Sequence, residues 1–159
     1  MTDKEYNNCV STYSDDIYRF AVYLGIDKDY ANDIVQDTFL SLWKSHAEIK
    51  AEKAKAYLLT TAHNLVNSNF RHKDVEKRYT NDLQMETTTH IDRVFEAHDQ
   101  LYKAMDAIPA IQKSALVLKD IEGYSYKEIG KMLDLTIQQV EVYIFRARVA
   151  LKKELLKQR

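Results

Sequence analysis

A segment near the carboxyl end carries side chains that can read the base edges of duplex DNA. In TIQQVEVYIFRAR, residues 136–148, Thr136 is followed three residues later by Gln139, which is the spacing of a capping box at a helix start. Glutamine amides pair with adenine in the major groove, a glutamate accepts a hydrogen bond from cytosine N4, and apolar side chains contact the thymine methyl group. This segment therefore predicts a base-reading helix, and its candidate side chains are Gln138, Gln139, Glu141, Val142 and Phe145.

The basic residues of this segment come late, which leaves its partner open. No lysine or arginine precedes Arg146 within it, and Arg148 follows two residues later. Lys127, on the predicted helix before it, adds a further cation for the DNA phosphates. The outward face is apolar at Val142 and Phe145, which also suits a groove on a protein. We favour DNA over a protein partner, because basic residues remain on both flanks of the helix.

A shorter helix and a tight turn precede this segment. In SYKEIGKML, residues 125–133, Ser125 and Glu128 have the spacing of a second capping box, and Asp134-Leu135 provides a turn. A short capped helix, a turn and a longer capped helix form the pattern of a helix-turn-helix. Helical hairpins that bind no nucleic acid share such caps, so the pattern predicts the fold of this unit and leaves its ligand open.

Polar side chains that suit an unpaired base lie on a predicted helix in the first half of the chain. Asn64 and Asn67 offer both hydrogen-bond donors and acceptors, and Arg71 and Lys73 follow them. Proteins hold single-stranded nucleic acid with polar or aromatic groups for the bases and positive charge for the backbone. This segment is therefore a candidate for binding an opened strand, and the alternative for Asn64 is a buried, hydrogen-bonded amide.

Composition indicates a helical protein that stays inside the cell. The 159 residues include one proline and three glycines, which are few for a β protein with many tight turns. Cys9 is the only cysteine, which excludes an internal disulfide. Asp3 and Glu5 do not fit a signal peptide, and no apolar run is long enough to cross a membrane. We therefore expect a cytoplasmic protein with no membrane insertion.

Hydrophobic periodicity divides the chain into two all-α modules. Apolar residues recur every three to four positions in the predicted helices, whereas TNDLQMETTTH, residues 80–90, is polar and has no period. The predicted modules are a three-helix-type bundle over 1–78 and a helix-turn-helix bundle over 91–159, joined by a flexible linker over 79–90. The predicted helices cover about 4–24, 27–46, 52–78, 91–107, 109–121, 125–133 and 136–157, with Gly25 ending the first and Pro109 in the first turn of the fifth.

Two sets of motifs resemble the extracytoplasmic-function group of bacterial sigma factors. ANDIVQDTFLSLW, residues 31–43, is similar to the family's acidic motif that ends in an aromatic residue. AYLLTTAHNLVNSNFR, residues 56–71, is similar to the helix that follows that motif. IPAIQKSALVLKDIEGYSYKEIGKMLDLTIQQVEVYIFRARVALKKEL, residues 108–155, resembles the family's C-terminal helix-turn-helix. The two sets in this order are more specific than either set alone.

The resemblance implies a protein that confers promoter specificity on bacterial RNA polymerase. The first module would bind the core enzyme and the melted −10 element, and the second would bind the −35 element as duplex. The core-binding face would hold Asp33, Gln36, Asp37 and Leu40, whose spacing of i, i+3, i+4 and i+7 puts them on one side of a helix. The −10 residues would be Asn64, Asn67, Arg71 and Lys73, and the −35 residues Lys127, Gln138, Gln139, Glu141, Val142, Phe145, Arg146 and Arg148.

The candidate recognition helix departs from the family pattern. Family members have basic residues at the positions of Glu141 and Tyr143, so the departure puts the −35 contact in doubt. The alternative function is a sigma-like adaptor that binds polymerase, or an anti-sigma factor, without reading a promoter. The sequence has no glycine-rich phosphate loop, catalytic triad or convincing metal-ligand spacing, so we expect no enzyme activity, cofactor or metal.

Charge is distributed unevenly along the chain. Residues 1–40 hold eight acidic and three basic side chains, whereas residues 136–159 hold six basic and two acidic ones. This asymmetry suggests a closed form of the free chain, in which acidic residues of one half cover basic residues of the other.

Overall fold

Helices account for all regular structure in the residues that the structure describes. The computed structural model describes residues 1–79 and 96–158, with side chains for 1–69 and 100–158. Within these ranges the helices are α1 Asp3–Tyr23, α2 Lys28–Ser45, α3 Ala54–Tyr79, α4 Glu96–Asp106, α5 Ala110–Asp120, α6 Tyr126–Leu133 and α7 Ile137–Lys157, and the 3-10 turn Ala51–Lys53 leads into α3. The all-α prediction is confirmed. None of the helices in these ranges is long and apolar enough to cross a bilayer.

Glycine and proline mark helix ends close to where the sequence predicts them. Gly25 has a φ of +97° directly after the cap residue of α1, and its amide bonds back to the carbonyl of Val22. This left-handed ending is typical of a helix C-terminus and confirms the prediction for Gly25. Pro109 is the N-cap residue of α5, one position before the predicted first turn. The predicted linker, residues 79–90, lies outside the described residues except for Tyr79.

The first three helices share an apolar core. Ile17 and Phe20 of α1, Leu42 of α2 and Leu58 of α3 are at most 1% exposed. Each such side chain contributes about 1.5–3 kcal/mol to stability when it is fully buried. The three helices pack against one another in all pairings, so α2 and α3 hold their outward faces in a fixed relation.

The last four helices bury the inner stripe of α7. Val140, Ile144 and Ala147 of α7 are buried, and the helix packs on α4, α5 and α6. Ile129 of α6 is completely buried beside them. These residues recur at three- and four-residue spacing, which leaves the opposite side of α7 facing outward.

A tight turn sets the angle between α6 and α7. Asp134 adopts a left-handed conformation with a φ of 57°, and the amide of Leu135 bonds to the carbonyl of Gly130 at 2.8 Å. A Cβ atom on Gly130 would lie 2.7 Å from the carbonyl oxygen of Leu135. The backbone of the turn therefore approaches α6 so closely that only glycine fits at this position.

Both helices of this unit have side-chain caps, but only one cap is a reciprocal capping box. The Thr136 hydroxyl accepts from the Gln139 amide, and the Gln139 side chain accepts from the Thr136 amide. The Ser125 hydroxyl accepts from the Glu128 amide at 3.1 Å, but it also donates to the Glu128 carboxylate at 2.9 Å. The prediction of a box at Thr136 is confirmed. The prediction at Ser125 is half correct, because the Glu128 carboxylate accepts from the Ser125 hydroxyl.

We expect Gly130→Ala to destabilise the helix-turn-helix by about 1–3 kcal/mol, because the added methyl group would displace a backbone carbonyl. Thermal unfolding followed by circular dichroism measures the effect. Lys131→Ala, at the exposed neighbouring position, is the matched control and should change the melting temperature little. Equal melting temperatures for both variants would contradict the close approach at Gly130.

Candidate nucleic-acid and polymerase interfaces

The candidate core-binding residues form an exposed face on α2. Asp33, Gln36 and Asp37 are all exposed, and Leu40 is 50% exposed. The face therefore combines two carboxylates with an apolar side chain, all open to a partner.

The indole of Trp43 extends this face, which sequence periodicity did not predict. The helical pattern places Trp43 among the core residues of α2, yet it is 42% exposed and lies one turn after Leu40. Its ring stacks on His46 with centroids 4.3 Å apart and meets the edge of Tyr6 at 4.9 Å. These contacts hold the indole in place beside Leu40, so the two make an exposed apolar patch next to the carboxylates.

The candidate −10 residues on α3 are in two different situations. Asn64 is exposed, so its amide is accessible, and the buried-amide alternative is wrong. Asn67 is partly buried, and its amide nitrogen donates to Nε2 of His63 at 3.1 Å. The side chains of Arg71 and Lys73 lie outside the described residues.

His63 connects this face of α3 to the second half of the chain. The imidazole is buried, and its Nδ1 lies 2.6 Å from the hydroxyl of Ser114 on α5. Because Nε2 accepts from the amide of Asn67, Nδ1 carries the proton and donates to Ser114. Burial disfavours the imidazolium and lowers the pKa of His63 to about 4. His63 is therefore neutral in this arrangement.

A buried lysine makes the second contact between the two halves. Lys113, the residue before Ser114, is 5% exposed and donates from Nζ to the carbonyl oxygen of Leu24 at 3.1 Å. Leu24 is the cap residue at the C-terminal end of α1, where the helix dipole favours a cation. Burial lowers the pKa of Lys113, and the nearby carboxylate of Asp106 opposes that shift.

Charged and aromatic residues also meet between the two halves. Lys55 of α3 lies 2.9 Å from the carboxylate of Glu122, which follows α5, and 3.9 Å from that of Asp16 on α1. The rings of Tyr23 on α1 and Tyr102 on α4 have centroids 5.1 Å apart. The two halves therefore form a closed arrangement, in which these polar contacts accompany an apolar core that is continuous between the halves.

The charge pattern of this junction agrees with the expectation from the sequence at one contact, Glu122 with Lys55, where the acid belongs to the second half. Among the side chains that the structure describes, the acidic residues of the first half do not cover the basic residues of α7. Instead a lysine of the first half pairs with Glu122 of the second, and Lys113 of the second half meets a carbonyl group of the first. Arg146 and Lys152 of α7 remain exposed.

The outward face of α7 is open to solvent. Val142 is 43% exposed and Phe145 69%, and Gln138 and Glu141 are exposed beside them. Gln139 is exposed too, but its side-chain oxygen caps the helix by accepting from the Thr136 amide at 2.9 Å. Of the two glutamines, Gln138 is therefore the better placed to pair with a base.

The basic candidates around α7 also differ in their surroundings. Lys127 and Arg146 are exposed, as a phosphate contact requires. Arg148 instead forms two hydrogen bonds with Asp120, from Nε at 3.1 Å and from an Nη atom at 2.6 Å. This pairing raises the pKa of Arg148 and fixes the direction of its guanidinium group. The sequence did not predict it, because Asp120 lies 28 residues away.

Two family models match the chain in sequence order. The model described as Sigma-70 region 2 matches residues 9–75, and the one described as Sigma-70, region 4 matches residues 98–151. Among sequence relatives, the ECF RNA polymerase sigma factor SigE of Mycolicibacterium smegmatis is 28% identical over 96% of this chain. SigX of Bacillus subtilis is 25% identical over 91% of this chain. The chain spans 62% of the length of SigE and 80% of that of SigX.

Solved structures share the fold of the whole chain. The sigma factor RpoE of Bartonella quintana, solved in complex with the anti-sigma factor NepR, superposes with a TM-score of 0.82 at 24% identity, covering 98% of this chain and 99% of that one. CnrH, solved in complex with the cytosolic domain of CnrY, gives a TM-score of 0.76 at 19% identity, covering 99% and 92% of the two chains. Both similarities concern the fold.

We expect the closed arrangement to weaken as the pH falls. In a state with separated halves His63 would regain a pKa of about 6.5, whereas in the closed state it is about 4, so the separated state binds more protons between these values. Between pH 7.5 and pH 5 the equilibrium constant that favours the closed state over the open state should fall roughly 25-fold. Solution scattering should show a larger radius of gyration at pH 5, while circular dichroism shows unchanged helix content.

His63→Gln is the control for this prediction. The amide still offers a donor to Ser114 but does not titrate, so the pH dependence should be much weaker than in the native chain. A native chain whose radius stays constant over this range, or a variant that expands equally, would show that His63 does not govern closure.

Proposed function

We propose that this chain confers promoter specificity on bacterial RNA polymerase, because it belongs to the sigma-70 family and carries its regions 2 and 4. The observation that carries the proposal is the presence of both regions in family order, together with an exposed, capped helix-turn-helix. The chain contributes binding surfaces, and the chemistry of RNA synthesis belongs to the polymerase. Its place of action is with that polymerase in the cytoplasm.

The proposed module boundaries follow the predicted ones. A module over 1–78 binds core enzyme and the −10 element, a module over 91–159 binds the −35 element, and a linker over 79–90 joins them. The two family matches fall within these modules, which supports the division.

The exposed face of α2 is the proposed core-binding surface. Asp33 and Asp37 can pair with basic groups of the polymerase and fix the register of docking. Leu40 and Trp43 supply apolar area beside them. Burying Leu40 and Trp43 in a groove of the partner would contribute most of the affinity. The exposed carboxylates add specificity more than binding energy.

The face of α3 is the proposed site for the opened −10 strand. The exposed amide of Asn64 can donate to and accept from the edge of an unpaired base. Asn67 becomes available once its bond to His63 is released. Arg71 and Lys73 are the proposed cations for the strand's phosphates.

The N-terminal half of α7 is the proposed reader of the −35 duplex. Gln138 and Glu141 would pair with base edges, Val142 and Phe145 would meet thymine methyl groups, and Arg146 would contact a phosphate. Gln139 orders the helix start through its cap, and Lys127 and Arg148 add positive charge on either side.

Promoter binding requires the closed arrangement to open. The −10 and −35 elements lie about 25 base pairs apart, which is roughly 85 Å at about 3.4 Å per base pair. A compact chain of this length has a radius of gyration of about 15 Å and is roughly 40 Å across. The closed chain therefore cannot reach both elements, and the contacts of His63 and Lys113 must break when the two halves engage DNA.

A second candidate function is an adaptor that binds polymerase without reading a promoter. The apolar outward face of α7 and its late basic residues are the observations that favour it. An anti-sigma factor is a proposed partner in either case, because RpoE, which shares this fold, was solved with one.

Transcription in a defined system tests the proposed function. Core polymerase with this chain should start at particular sites that core alone does not use, whereas an adaptor would bind core and start nothing new.

Asp37→Lys should weaken core binding by about tenfold or more, because a carboxylate facing basic groups becomes a cation. Glu48→Lys makes the same charge change at an exposed site away from the α2 face and should bind as the native chain does. Equal binding by the two variants would remove α2 from the interface.

We expect two distinct defects when the α7 candidates are removed. Arg146→Ala should weaken binding to every −35 duplex similarly and lower the salt slope by about 1, because one phosphate contact is lost. Gln138→Ala should cost about 1–3 kcal/mol at a single base pair and leave other positions alone. Fluorescence anisotropy with a set of labelled duplexes measures both effects. Lys50→Ala, which removes an exposed cation from the first half, is the control, and an unchanged sequence preference in Gln138→Ala would contradict base reading by this side chain.

A further inference from the structure

A cleft of about 460 Å³ lies between the two halves of the chain. The first half lines it with the segment around the start of α3, including Lys50, Lys53 and Tyr57, and the second half with Lys131 and Met132 of α6. Its volume is that of a small-molecule site. None of the residues proposed to bind core enzyme, the −10 strand or the −35 duplex lines it, and its two walls separate when the halves separate.

Three lysines line this cleft without a carboxylate partner. Lys50, Lys53 and Lys131 are exposed, and within the described part of the chain none of them forms an ion pair. Lys55 at the same junction, in contrast, pairs with Glu122. A concave surface with an excess of positive charge attracts anions. Closure brings lysines of both halves together, and a bound anion would offset their repulsion.

The inner wall of the cleft is apolar and includes an aromatic ring. Tyr57 and Met132, one from each half, are partly buried there beside Ile49 and Ala56. The hydroxyl of Tyr57 lies 2.9 Å from that of Ser41, which holds the ring in one position. A fixed aromatic ring and a polarizable thioether are suitable contacts for a planar ring of a ligand. The cleft therefore combines cations at its rim with an apolar wall for a planar group.

We propose that this cleft binds a nucleoside triphosphate, with its phosphate groups on the three lysines and its base against Tyr57 and Met132. Lysine ammonium groups bind phosphate as point charges, and the positive end of the α3 dipole lies at the same place. The base gains contact with the aromatic ring, as unpaired bases do on proteins that bind single strands.

Binding in a cleft that both halves form stabilises the closed arrangement. A ligand that binds only this state, at about 100 times its dissociation constant, shifts the equilibrium toward closure about 100-fold. The site goes beyond the proposed promoter function and does not depend on it. Where that function holds, the nucleotide opposes the opening that promoter binding requires.

Isothermal titration calorimetry with the full chain at low salt tests the proposal. The probes are ATP, GTP, inorganic triphosphate and adenosine, in a buffer without divalent cations. ATP or GTP should bind with a dissociation constant below about 1 mM. Inorganic triphosphate should bind about tenfold more weakly, because it lacks the ring, and adenosine should not bind measurably. If neither nucleotide binds, or if inorganic triphosphate binds as tightly as the better nucleotide, the proposal is wrong.

Charge changes on both walls locate the site. Lys53→Glu in the first half and Lys131→Glu in the second should each weaken nucleotide binding by about tenfold or more. Glu48→Lys removes an acidic side chain that also lines the cleft and should tighten binding severalfold, a gain that misfolding cannot produce. Lys103→Glu makes the same charge change at an exposed position of α4 outside the cleft and should bind as the native chain does.

Other outcomes would overturn the proposal in distinct ways. Native affinity in Lys131→Glu, with a loss in Lys53→Glu, would place the ligand on the first half alone. A short single strand of DNA that binds more tightly than either nucleotide, and is weakened by both variants, would assign the cleft to nucleic acid. Because the titrations need neither polymerase nor promoter, promoter-specific transcription by a chain that binds no nucleotide would overturn this proposal alone.

Discussion

Where the two halves of the chain meet, the buried ammonium group of Lys113 donates to the carbonyl oxygen of Leu24 at the end of α1. A lysine without water around it is costly, and here one carbonyl group and the negative end of a helix dipole compensate for part of that cost. His63 and Ser114 add a hydrogen bond one residue further along α5. These polar contacts depend on direction and distance, so they define one arrangement of the halves, to which the shared apolar core adds area without direction.

In the closed arrangement the proposed binding surfaces differ in their exposure. The α2 face with Asp33 and Leu40 stays exposed, as does the outward side of α7. Asn67 on α3, in contrast, is engaged through His63 with the other half. A free chain in this state therefore leaves the proposed core-binding face of α2 open, while the Asn67 amide of the proposed strand-binding face is engaged by His63, which bonds to the second half.

Local sequence patterns predicted most of the helices and the helix-turn-helix, because periodicity, caps and Gly25 act over a few residues. The same patterns did not predict the junction. His63 and Ser114 are 51 residues apart, and Lys113 and Leu24 are 89 apart, so no local signal connects them. A lysine within the apolar stretch of α5 was the available hint.

The candidate sites were also predicted only in part. The helix faces followed from spacing, but the second task of individual side chains did not. Gln139 serves the helix cap, Arg148 is held by Asp120, and Trp43 faces solvent where periodicity placed it inside. Each of these depends on which backbone group or side chain the fold brings near.

The close approach of Gly130 to Leu135 also limits the relative movement of α6 and α7. With no room for a side chain in that turn and a left-handed Asp134 within it, α6 and α7 have little freedom to pivot about each other. Since α6 also touches α3, and α7 packs on α4 and α5, a displacement at the α3 contact would move α6 and α7 together with those two helices as one rigid unit.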